Sequence, residues 1–193
     1  MTVKVERADA ARNRVAILEA ADRLLAGSGS PGEVSMDDIA AAAGVGKGTL
    51  FRRFGDRAGL IRQVYAVRLA PLRERIESGP PPLGPSGAPA DRVAAIIDAI
   101  AVVKLENSHL MLAVEGDAPA QGLYGSADYI AVHGLLADLI AASSGSQHPG
   151  WTAHVLLAAV RADLLRHLAE VEGTSHAEIR ASLKGFVERA LAG

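Results

Sequence analysis

The chain has 193 residues, is 49% hydrophobic and 22% charged, and carries a net charge of -2. That balance excludes a wholly disordered chain and lets one domain, or two small ones, bury a core. Cysteine is absent, which excludes disulfides, thiolate zinc sites and cysteine nucleophiles. The longest apolar run, residues 39–45, falls far short of the roughly 20 residues a membrane span needs. Met1–Arg7 has no apolar signal core, so a cytoplasmic protein that does not meet the membrane is expected.

Alanine occurs 37 times and aromatic residues make up only 4%. Alanine is the best helix former and aromatic residues favour strands, so an all-α fold is predicted. The charge is uneven. Residues 1–77 hold 13 Lys and Arg against 10 Asp and Glu, a net +3, while residues 78–193 hold 7 against 12, a net -5. A basic head on an acidic body points to a polyanionic partner for the head.

In chain order, the first helix is predicted from about Asp9 to Ala26, with Val15, Leu18, Ala21, Leu24 and Leu25 as its apolar stripe. Gly27 to Gly32 ends it. A short second helix starts at Ser35 as N-cap, with Asp38 at the capping-box position. Gly44 makes a tight turn, and a third helix covers about Lys47 to Phe54. Gly55 suits a left-handed cap, and Asp56 caps a fourth helix from Arg57 to Glu77, which Pro71 should kink or split.

Five of the nine prolines then fall within residues 78–90, which read as a mobile linker. Further helices are expected at Asp91 to His109, with a continuation over Leu110 to Glu115, and at Ala127 to Ala142. The last two are expected at Gly150 to Glu172, and at Ser175 to Leu191 with Ser175 and Glu178 as its cap pair. The domain plan is an arm and DNA-binding head at 1–56, a connecting helix at 57–77, a Pro/Gly-rich flexible linker at 78–90, and a body at 91–193.

Residues 35–54 are the informative segment. Ile39, Ala43, Val45, Leu50 and Phe54 can close a small core around two short helices and a glycine turn. That is the pattern of a helix-turn-helix, whose second helix enters the DNA major groove. The third helix then presents Gly46, Lys47, Gly48, Thr49, Arg52 and Arg53, donors that match the acceptors of phosphates and groove edges. In the arm, Arg12 and Arg14 are the candidates for backbone contacts, ahead of Lys4 and Arg7.

Ser35 to Leu60, running through Ile39-Ala40-Ala41-Ala42-Ala43-Gly44-Val45-Gly46-Lys47-Gly48-Thr49-Leu50-Phe51-Arg52-Arg53-Phe54-Gly55-Asp56-Arg57, resembles the DNA-binding signature of TetR-family transcriptional regulators. The resemblance covers about residues 10–60. It implies an all-helical homodimer on double-stranded operator DNA, with a small-molecule effector bound in the body and no cofactor. It also implies DNA contacts from Ser35, Phe51 and Arg57. Three positions depart from the family pattern: Gly46 replaces a serine, Phe51 a tyrosine and Arg57 a lysine.

In the body, the family plan implies dimerisation through the last two helices. The stripes Leu157, Val160, Leu164, Leu168, Val171 and Ile179, Leu183, Phe186, Ala190 are the candidates. Tyr129, His133, Trp151 and His154 are the candidate ligand-binding residues, from a wider set that includes Glu106, His109, Glu115, Asp117 and Tyr124. Asp163, His167 and Glu170 share a helix face but lack the repeated Glu-x-x-His of a di-metal bundle, so a surface ion-pair cluster is expected there.

The leading function is a ligand-responsive transcriptional regulator, a repressor released from its operator by an effector. The alternatives are an all-α enzyme using the body's histidines and carboxylates, and an effector-free DNA-binding protein. No nucleophile–base pair or phosphate loop is visible. A switch is expected to run through the 57–77 helix, with the 78–90 linker permitting the motion.

Overall fold

A computed structural model describes residues 2–28, 33–108, 110, 124–144 and 147–192, with the side chains of residues 2–10 and 144 left out. The described residues are helical and contain no strand. The helices are α1 (Thr2–Gly27), α2 (Met36–Ala42), α3 (Lys47–Phe54), α4 (Arg57–Ser78), α5 (Pro89–Glu106), α6 (Ala127–Ser144), α7 (Pro149–Ala159), α8 (Ala162–Arg166) and α9 (His176–Ala192). The chain divides into two compact units, Met1–Arg68 and Leu69–Gly193. The division falls inside α4, so the connecting helix is shared by both units.

In the first unit, α1 begins at Thr2, well before the expected Asp9. No proline or glycine interrupts Thr2 to Ala8, so nothing stops the helix from running back. Its buried face is Ile17, Leu18, Ala20, Ala21 and Leu25, and Val15 of the predicted stripe is 53% exposed. The core is completed by Val34, by Met36, Ile39 and Ala40 of α2, by Leu50 and Phe54 of α3, and by Leu60, Ile61 and Val64 of α4. Ala43 and Val45, also expected inside, are half-buried.

The turns are fixed locally. The Ser35 hydroxyl accepts from the Asp38 amide at 3.1 Å, and the Asp38 carboxylate accepts from the Ser35 amide at 2.9 Å. The reciprocal capping box is therefore complete. These Ser35 hydrogen bonds hold the Asp38 carboxyl below its ordinary pKa. Gly44 has φ 65°, in the left-handed region where only glycine is unstrained. At the start of α4 the Asp56 carboxylate accepts from the Gly59 amide at 2.6 Å. Gly59 has no room for a side chain, because a Cβ there would run into the Phe54 carbonyl oxygen.

Pro71 lies inside α4 without splitting it. Its missing N–H frees the Val67 carbonyl, and Val67 is 54% exposed, so water can satisfy that group.

In the second unit, Val93, Ile96, Ile97, Ala101 and Leu105 of α5 form the centre of a core that includes Leu136, Leu139 and Ile140 of α6, Ala153, Leu156 and Leu157 of α7, and Ile179, Leu183 and Val187 of α9. The segment expected as a loose linker is part of this core. Leu83 is 4% exposed and packs in the cluster with Leu72. Arg92, only 8% exposed, donates from Nε to the Leu83 carbonyl at 3.1 Å and from a terminal guanidinium nitrogen to the Ile76 carbonyl at 3.2 Å. Proline and glycine do exclude a helix over residues 79–88, but one apolar residue and one guanidinium give the turn a fixed seat. A deletion that takes Leu83 would remove a core residue.

The expected single helix over Gly150 to Glu172 is broken. α7 ends at Ala159, Arg161 adopts extended backbone (φ -65°, ψ 142°), α8 follows, and one π-helical turn covers His167–Val171. At the break the Arg161 guanidinium grips the Asp163 carboxylate at 3.0 and 2.9 Å, and that carboxylate, in the first turn of α8, accepts from the Leu164 amide at 2.9 Å. α9 opens with the expected pair: Ser175 and Glu178 exchange backbone and side-chain hydrogen bonds. The continuation over residues 110–115 lies outside the described residues beyond Leu110.

Candidate nucleic-acid interface and an aromatic cluster

The first unit places the predicted DNA-facing residues on one short helix. α3 buries Leu50 and Phe54 toward α1, α2 and α4, and this leaves the opposite side to solvent. Lys47, Gly48, Phe51 and Arg52 are exposed, and Thr49 and Arg53 are half-buried. Gly46 is the N-cap of α3 and contributes no side-chain hydrogen bond. A Cβ added at Gly46 or Gly48 would meet nothing within 4 Å, so the start of the helix is bare on both sides of Lys47. A bare helix start beside an ammonium group suits an anion. Phe51 is 40% exposed and has no hydroxyl to offer a phosphate.

Lys47 and Arg57 are among the predicted cations that are already engaged. The Lys47 ammonium lies 2.7 Å from one oxygen of Asp37 and 2.8 Å from the other. Arg57 donates from Nε to the Val34 carbonyl at 3.1 Å and so ties the start of α4 to the segment before α2. Arg12 and Arg14 are exposed on α1, and Ser35 is exposed but spent on the α2 cap. The side chains of Lys4 and Arg7 lie outside the described ones. The Asp37–Lys47 pair was missed in the sequence because ten residues separate the two. The signal was that each stands in the first turn of its helix, and the glycine turn brings those two helix starts together.

In the second unit three of the four candidate ligand residues converge. Tyr129 and His133 lie one turn apart on α6, with rings 6.1 Å apart and 12° from parallel. His154 of α7 stacks on His133 at 3.9 Å. The Tyr129 hydroxyl is 2.7 Å from His154 Nδ1, and His133 Nε2 is 3.0 Å from the Gly150 carbonyl. A carbonyl only accepts, so His133 carries its proton on Nε2. Tyr124 sets its ring edge against Tyr129 at 5.1 Å. Trp151 is 71% exposed, and among the described residues no ring contact joins it to the stack. His109, Glu115 and Asp117 lie outside the described residues.

Burial, and then the neighbouring Tyr124, push the Tyr129 hydroxyl above its ordinary pKa. The raised value keeps the Tyr129 hydroxyl protonated and able to hydrogen-bond. Desolvation, and then the adjacent His133, push His154 below the ordinary imidazole value. A titration of the ring protons by NMR should therefore find His154 changing charge at lower pH than a free imidazole, and replacing His133 with Ala should move it part-way back. Unfolding gives His154 its ordinary affinity for protons. This group's contribution is therefore fully present above the unfolded pKa and is lost as pH falls below it.

The predicted dimer stripes meet different environments. Leu157, Ile179 and Leu183 are buried in the unit's own core, and Leu168 and Phe186 pack against it half-buried. Leu164 and Val171 are 42% and 71% exposed. Asp163, His167 and Glu170 face three different partners: Arg161, Glu172 and Arg166 respectively. No helix among the described residues is long and apolar enough to cross a membrane.

Residues 17–64, which hold the α1–α4 core and the bare α3 start, match the model of the tetR family of bacterial regulatory proteins. The match covers the helix-turn-helix segment of the first unit. A TetR-like transcriptional regulator from Rhodococcus sp. RHA1 superposes with a TM-score of 0.65 at 21% identity, over 94% of this chain and 96% of that one. NalD of Pseudomonas aeruginosa, the secondary repressor of the MexAB-OprM multidrug efflux pump, superposes with a TM-score of 0.60 at 18% identity, over 95% and 97%. At these identities the likeness is one of fold. No curated protein sequence matches the chain significantly. The tetR-family match stops at residue 64, so the second unit's chemistry is read from its own residues.

Proposed function

We propose that this chain is a TetR-family repressor that binds operator DNA through α3 as a homodimer and is released by a small molecule bound in the second unit. The observation that carries the DNA reading is the exposed side of α3, where Lys47, Thr49, Arg52 and Arg53 follow a helix start that no side chain caps. Lys47 is the phosphate contact, and Thr49 and Arg53 reach base edges. On a duplex selected from random DNA, Lys47→Ala should weaken binding to all sequences similarly. It should also flatten the slope of log affinity against log salt by about one unit. An unchanged slope would remove Lys47 from the interface.

The effector reading rests on the stacked rings of Tyr129, His133 and His154, with Tyr124 edge-on to Tyr129, an aromatic surface that suits a planar ligand. A ligand shifts operator affinity only by its differential affinity for the two states of the protein.

Support for the dimer comes from the sides of α6 and α7 that the core leaves uncovered. Ile130 is 58% and Trp151 71% exposed, and α7 has no Asp, Glu, Lys or Arg along its length. The exposed side of α9 instead carries Glu178, Arg180, Lys184 and Glu188. The interface therefore runs through α6 and α7. Trp151→Asp should shift sedimentation toward the monomer, because an unpaired charge in a desolvated interface is costly. The same substitution at Lys184 should not. A wild-type monomer at micromolar concentration would refute the dimer.

A further inference from the structure

The Lys47 side chain is 60% exposed and its partner Asp37 62% exposed, so both are open to solvent and to DNA. We propose that Asp37 is a built-in competitor of the DNA phosphate: it holds the Lys47 ammonium in the free protein and must release it, or face the arriving phosphate, when DNA binds. The proposal rests on the reading of α3 as the DNA-binding helix.

The geometry carries it in three ways. Both Asp37 oxygens lie on Nζ, at 2.7 and 2.8 Å, so the carboxylate occupies the ammonium as a bidentate anion would. The α2 cap does not need Asp37, because Ser35 and Asp38 make it between them. A phosphate that took Lys47 with the pair intact would also approach a second anion directly, and like charges at such distances repel. Because the pair is exposed, its hold is modest and falls with salt. Asp37 therefore acts as a trim on affinity for every duplex, specific or not. It suppresses binding to bulk DNA without reading any base.

The test uses the full chain with two fluorescent duplexes, one selected from random DNA and one scrambled, titrated by anisotropy at several salt concentrations. Asp37→Asn keeps the side-chain shape and removes the charge. It should tighten both duplexes about three- to fivefold at about 50 mM salt, with a smaller gain at about 200 mM. In the Lys47→Ala background the same substitution should gain less than about 1.5-fold, since the ammonium it competes for is gone. Asp37→Ser, a second neutral side chain suited to a first helical turn, should reproduce the gain.

An equal gain with and without Lys47 would reduce the effect to net charge and overturn the proposal. Unchanged binding would overturn it as well, and so would weaker binding, which would make Asp37 an aid that orients Lys47. A wild-type protein that binds neither duplex would overturn the DNA-binding reading itself. Selective wild-type binding combined with any of the three failures would overturn only the competitor.

Discussion

Leu50→Ala should abolish DNA binding while the second unit stays folded. Leu50 is fully buried between the helices of the first unit. Truncating a buried leucine costs about 2–5 kcal/mol, the transfer term plus the cavity left behind. A unit of 68 residues has only about 5 kcal/mol or little more to lose. The chain has one tryptophan, Trp151, which lies in the second unit. Urea unfolding followed by Trp151 fluorescence should therefore be nearly unchanged. Circular dichroism should lose an early helical fraction, and the selected duplex should no longer be retained. Wild-type affinity in this variant would mean that α3 does not depend on its buried face for its placement.

The second large effect is expected at Arg92. Its guanidinium is the common donor to two carbonyls, Ile76 at the end of α4 and Leu83 in the following turn. Arg92→Met keeps most of the aliphatic volume and removes both hydrogen bonds. Leaving a buried acceptor without a donor costs about 1–3 kcal/mol, so the pair should cost about 2–4 kcal/mol in the second unit. The loss would appear as a lower urea midpoint by Trp151 fluorescence at an unchanged slope. Arg92→Lys should recover little, because one ammonium on a flexible stem cannot reproduce a planar fork. An unchanged midpoint would mean that the 79–88 turn is held by Leu83 alone.

What the sequence made legible follows from the range of the interactions involved. α2 and α3 were readable because their signals are local: Ser35 and Asp38 cap each other, Gly44 takes the turn, and Asp56 receives the Gly59 amide. Lys47 to Phe54 was bounded correctly for the same reason. The break at Arg161 is hidden because the apolar spacing of Leu157, Val160, Leu164 and Leu168 runs through it, and the Arg161–Asp163 pair that sits there leaves no mark on that spacing.

Burial was harder still. Periodicity finds an apolar stripe but not what covers it, so Ile179 and Leu183 read as an interface although their own core takes them. The 79–88 turn shows the converse: Pro/Gly composition reports the absence of a helix and nothing of the seat that Arg92 provides. In the aromatic cluster, Tyr129 and His133 were foreseeable as neighbours on one helix turn. The arrival of His154 depends on how α6 and α7 pair, and Trp151 sits on the same helix yet faces solvent.

The glycines of the first unit divide into replaceable and irreplaceable ones, and this bears on re-targeting. At position 59 any side chain would collide with the Phe54 carbonyl, so a library randomised there should return glycine alone. Gly46 and Gly48 flank Lys47, have ordinary backbone, and face open space. Side chains can be added at these two positions without disturbing a packed atom. Asn or Gln there could pair with adenine, and Arg with guanine. On the reading of α3 as the DNA-binding helix, its bare start is thus an unused alphabet: two vacant letters on either side of Lys47, through which the same scaffold could be made to recognise different DNA.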